Sequence, residues 1–74
     1  MDKDERELVG RLFAMATIVL EDALAAAVNG QSPKLAPNGY DTQAHCLRNA
    51  ANDAVILAEA AAIVARRSLP KRAR

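Results

Sequence analysis

At 74 residues the chain has room for one small domain, near the size at which a single core supplies only about 3–5 kcal/mol. Its one cysteine, Cys46, excludes an intrachain disulfide, and with one histidine it cannot build the usual four-ligand structural zinc site, so oligomerisation is the remaining common supplement. The composition is helical and too apolar for disorder, with 51% hydrophobic residues, seventeen alanines, and Phe13 and Tyr40 as the only aromatics.

The net charge of +1 hides an asymmetry. Asp2, Asp4, Glu5 and Glu7 crowd the start, whereas nothing acidic follows Glu59 and the end is basic. An acidic start is not the n-region of a signal peptide. The low-charge run Leu12 to Leu20 stops at Glu21-Asp22, short of the ~20 residues that a membrane span requires. These features lead to the expectation of a soluble, cytoplasmic protein with no membrane partner.

Asp2 followed by Glu5 has the capping-box spacing, and acids in a first turn suit the positive end of a helix dipole. A first helix is therefore predicted over 3–28. On a wheel of 100° per residue, Leu8, Val9, Leu12, Phe13, Met15, Ala16, Val19, Leu20, Ala23 and Ala27 share one face. This arc covers roughly half the circumference, wider than contact with one helix requires. Asn29-Gly30 reads as the stop, with Gly30 free to take a left-handed conformation.

A loop is predicted over 29–41, where two prolines and Asn38-Gly39 favour turns, and Leu35 is placed to plug the open end of the core. Asp41 or Thr42 would cap the second helix, with Tyr40 as a hydrophobic staple ahead of it. That helix is predicted over 42–67, ending before Leu69-Pro70, with a basic tail over 68–74.

Eight of the sixteen residues from Ala50 to Ala65 are alanine, so neighbouring helices approach this surface closely. Helix one offers bulk and helix two small residues, a knob-and-notch match. Two helices of nearly equal length favour an antiparallel hairpin. The predicted fold is a single all-α domain, an antiparallel hairpin of two long helices, assembling as a homodimeric four-helix bundle that covers the surplus apolar width. The expected self-contact surface is Leu12, Phe13, Met15, Val19 and Leu20 on helix one with Ala51, Ala54, Ala58, Ala61, Ala62 and Ala65 on helix two, and Ala51, Ala58 and Ala62 lie farthest from the chain's own first helix.

Chemistry-bearing sets are sparse. Asp41 and His45 are spaced i, i+4 but lack the Glu-x-x-His pairs of di-iron bundles, and they read as a cap beside a solvated histidine. His45 and Cys46 point about 100° apart on a helix, and Cys46 reads as a small buried hydrophobe beside Leu57 and Val64. The three glycines form no phosphate-binding loop. No catalytic residue, metal ligand or cofactor is assigned.

Arg66, Arg67, Lys71, Arg72 and Arg74 place five positive charges in nine residues, enough for salt-sensitive contact with phosphates. A competing account pairs Asp4 and Glu7 with Arg66 or Arg67 across the hairpin end. The leading expectation is a non-enzymatic protein acting through protein–protein contacts, first with itself and then with another protein. The alternative is a dimer that binds nucleic acid through its basic end, and a metal-binding bundle stands third.

Overall fold

The computed structural model describes residues 1–69 of the chain. Two helices, α1 (Lys3–Asn29) and α2 (Pro37–Arg67), pack against each other, and no strand occurs among the described residues. At 1.5 Å per residue they are ~40 and ~46 Å long.

The start of α1 follows from its first residues. The Asp2 carboxylate accepts from the Glu5 backbone N–H at 2.8 Å, and the Glu5 carboxylate accepts from the Asp2 N–H at 3.2 Å, which satisfies two donors that a helix start otherwise leaves unpaired. The end differs from expectation. Gly30 lies at φ −68°, ψ −11°, in the right-handed region, and its N–H donates to the Ala26 carbonyl. A Cβ at Gly30 would lie 3.3 Å from the Ala26 carbonyl oxygen and 3.7 Å, an ordinary contact distance, from the Cβ of Gln43, so Gly30 faces α2 at this end without reversing the handedness of the chain.

The loop is shorter than expected because α2 begins at Pro37, five residues before Thr42 (42 − 37). Proline at a first helical position has its φ already set and lacks an N–H that would go unpaired there. Asn38-Gly39, read as a turn, is carried into the helix behind it. The staple and cap expected at Tyr40, Asp41 and Thr42 therefore fall inside α2. The Thr42 hydroxyl donates to the Asn38 carbonyl at 2.9 Å, and the Tyr40 hydroxyl donates to the Ser32 carbonyl, fastening loop to helix. Ala36 occupies the cap position and makes no side-chain cap bond. Leu35 is half-buried, its side chain lying beside Gly39 in the first turn of α2.

Burial sets the contact line between the helices. Along α1 and its cap Gly30 a line of buried and half-buried positions, Glu5, Val9, Leu12, Ala16, Val19, Ala23, Ala26 and Gly30, alternates steps of four and three, with half-buried Ala27 beside it. Along α2 and its cap Ser68 the same alternation runs through Gln43, Leu47, Ala50, Ala54, Leu57, Ala61, Val64 and Ser68, of which Leu47 alone is exposed, at 39%, with half-buried Ala60 and Ala65 beside the line. Steps of four and three average 3.5 residues, the repeat of a coiled coil.

The ends fix the register. Ser68 Oγ donates to Glu5 Oε2 at 2.7 Å, and Gly30 faces Gln43; both pairs sum to 73 (5 + 68 and 30 + 43), so the helices run antiparallel with residues i and 73 − i level. This register sets Leu12 against Ala61 and Leu57 against Ala16, a large residue facing a small one in each layer. Ala23 then meets Ala50. Among the described residues the buried ones are alanines alone, Ala23, Ala26, Ala50 and Ala61. Notches therefore lie on both helices, whereas the knob-and-notch expectation placed the large residues on helix one and mainly small ones on helix two.

α1 also carries an 18-residue stretch of mean hydropathy 1.6, long and apolar enough by length and composition to cross a membrane. The expectation that the apolar run is too short rested on the stretch ending at Glu21-Asp22; the helix continues through both acids with Ala23 to Val28 beyond them.

Candidate interaction surface

The seam consumes little of the apolar surface. Phe13, Leu20 and Leu24 are 60%, 54% and 64% exposed, and Leu8, Met15, Ile18, Val28, Val55, Ile56 and Ile63 are exposed as well. No large side chain is fully buried among the described residues. Exposed groups of this size at element centres mark an interaction surface more often than a finished exterior.

Seven-residue spacing sorts these groups onto the two sides of the hairpin. Ala27, Tyr40, Ala44 and Leu47 line one groove between the helices. Stepping back by sevens from Ala27 gives Leu20 and Phe13, and forward from Ala44 gives Ala51 and Ala58. From Phe13 to Ala27 on α1 and from Ala44 to Ala58 on α2 this side is uncharged along the seam, bulky on α1 and alanine-lined on α2, and one step of seven before Phe13 stands Arg6. The opposite side joins Met15 and Val19 to Asp53 and Ile56, and farther along it joins Asp22 and Asn29 to Cys46, Asn49 and Asp53. Two carboxylates and three polar residues interrupt its apolar surface.

The expected contact residues fall into distinct places. Leu12, Val19, Ala54 and Ala61 are taken up in the hairpin's own seam, and Ala65 is half-buried beside it. Phe13, Leu20, Ala51, Ala58 and Ala62 are exposed, with the first four on the uncharged side or its edge, and Met15 is exposed on the other. Leu24 and Val28 belong to the exposed apolar surface and were missed. Their signal was a second stripe at Phe13, Thr17, Leu20, Leu24 and Val28, steps of four and three that continue beside the seam.

The other candidates are also located. Cys46 is exposed, not buried, because it lies one step off the seam and at the edge of the polar groove. His45 Nε2 sits 3.4 Å from Asp41 Oδ1, with both side chains largely in solvent. No group of three or more His, Cys, Asp or Glu residues is placed to hold a metal ion among the described residues. Arg66 and Arg67 are exposed in the last turn of α2, while Lys71, Arg72 and Arg74 lie outside the described residues.

Across the hairpin end, neither Asp4 nor Glu7 forms an ion pair with Arg66 or Arg67. Glu5 makes the connection instead, through the Ser68 hydroxyl. That hydroxyl, the Asp2 N–H and the nearby positive charges of the N-terminus and Arg67 together hold the Glu5 carboxyl below the usual glutamate range.

No family model, no curated protein and no solved structure matches the chain.

Proposed function

We propose that the chain is a small non-enzymatic helical protein that self-associates, with two hairpins forming a homodimeric four-helix bundle, and that it acts through protein–protein contacts. The observation carrying this reading is the unfinished burial. The accessible surface is 6031 Å², whereas a compact monomer of 7.9 kDa exposes only ~4,400 Å². The difference is more than ~1,000 Å², the scale of a specific interface. A core whose buried residues are four alanines supplies little of the hydrophobic stabilisation that ordering 58 helical residues (27 + 31) requires.

A second copy supplies the missing apolar partner without a new sequence. A soluble, cytoplasmic setting suits this reading better than a membrane. Glu21 and Asp22 fall inside the apolar stretch of α1, and an acid near a bilayer centre costs about 2.5–3.5 kcal/mol. Light scattering on the eluting protein at tens of micromolar tests the proposal. It predicts a mass twice 7.9 kDa, and a helical species at 7.9 kDa removes it.

The alternative reading, binding of nucleic acid, rests on Arg66 and Arg67 exposed at the end of α2. Titration of a duplex at rising salt tests it. Binding that weakens steeply with salt and is lost on Arg66→Ala with Arg67→Ala supports it, and no binding at low salt excludes it.

A further inference from the structure

We infer that the second copy docks on the uncharged side of the hairpin and is related by a two-fold axis running along the helices, so that α1 of each copy lies over α2 of the other. The inference rests on the self-association proposed above and goes on to name the surface and the arrangement.

Three observations lead to it. First, desolvation separates the two sides. Docking through the other side would bury Asp22 and Asp53 of both copies against each other, four carboxylates with no cation on that groove to pair them. The side with Phe13, Leu20 and Leu24 sets no carboxylate beside the seam, and Arg6, Arg48 and Asp41, reached by steps of seven from Phe13 and Val55, stand exposed toward its ends, where they stay in water. Second, the size is sufficient. The hairpin measures 59 × 25 × 12 Å, and one broad face of it exceeds the ~800 Å² that each partner buries in a standard interface.

Third, shape selects the axis. A two-fold axis lying across the helices would set α1 on α1 and α2 on α2. Bulk would then meet bulk while alanine met alanine, leaving one half of the interface overpacked and the other half gapped. An axis along the helices places α1 over the second copy's α2 and keeps every residue at its own level. By the i to 73 − i register, Phe13 then falls between Ala58 and Ala62 of the second copy, since 13 + 58 = 71 and 13 + 62 = 75. Leu20 falls between Ala51 and Val55, and Leu24 between Leu47 and Ala51. All neighbouring helices in the resulting bundle are antiparallel, the arrangement that suits their dipoles.

Two variants on exposed residues test the surface, because neither position contributes to the hairpin's own seam. Leu20→Glu is expected to yield a helical monomer, and Ile56→Glu, on the opposite side, to remain dimeric, both read by light scattering beside the parent chain. A dimeric Leu20→Glu or a monomeric Ile56→Glu overturns the surface while leaving self-association intact. A monomeric parent overturns self-association itself.

The axis is tested by mixing two single-cysteine chains under oxidation, Leu20→Cys and Ala51→Cys, each also carrying Cys46→Ser. The expected product is the mixed disulfide, formed in excess over either self-linked dimer. Self-linked Leu20→Cys in excess over the mixed product places α1 on α1 and overturns the axis.

Discussion

Glu5 does two things at one position: it completes the capping box with Asp2 and accepts the hydroxyl of Ser68, closing the open end of the hairpin. Only the first was legible in the sequence. Capping is local, a spacing of three, whereas the Ser68 contact depends on the register of two helices sixty-three residues apart. Since the Glu5 carboxyl is held below its usual range when folded, its contribution is fully present above the ordinary glutamate value and is lost as pH falls through the lower folded one. Thermal unfolding followed at pH 7 and then at pH 3 should show a smaller drop for Glu5→Gln than for the parent chain; an equal drop would assign the acid sensitivity to other carboxylates. Gly10 makes the opposite kind of prediction. It lies exposed within α1, with open space where a Cβ would go, so Gly10→Ala should stabilise by about 0.5–1 kcal/mol in chemical denaturation.

At the scale of elements, both helices and their antiparallel pairing could be read from periodicity, capping and the prolines. The start of α2 could not. Pro37 and Asn38-Gly39 are turn formers by local preference, yet proline is equally suited to a first helical turn, and the Tyr40 bond to the loop favours that alternative. The 3.5-residue seam was hidden for a different reason. Phe13, Met15 and Leu20 flank it so closely that the apolar arc looks continuous, and only the burial of Ala16, Ala23 and Ala26 separates contact line from flank. The distinction has a consequence for alanine replacements. Ala61 is 4% exposed in the seam and Ala58 is exposed beside it. Ala61→Leu should destabilise the hairpin itself by about 1–3 kcal/mol through overpacking, while Ala58→Leu should leave helicity intact at low concentration and weaken assembly. Circular dichroism across a dilution series separates the two effects, and equal losses of helicity in both variants would refute the assignment of seam and flank.

For the molecule as a whole, the shape is that of an open two-helix hairpin. Its buried contacts are alanines, and most of its large apolar residues lie outside the seam on both sides. The surplus apolar surface was readable from the width of the apolar arcs; how it divides between the two sides was not, because the sorting of Phe13, Leu20 and Leu24 away from Asp22 and Asp53 depends on where the seam runs. If folding and assembly are one event, stability must depend on concentration, since mass action favours the dimer as protein is added. The most direct measurement is therefore the unfolding midpoint by circular dichroism across a hundredfold range of protein concentration. The midpoint should rise by several degrees from the lowest concentration to the highest. A cooperative transition with the same midpoint throughout would show a hairpin stable alone, and would contradict the account.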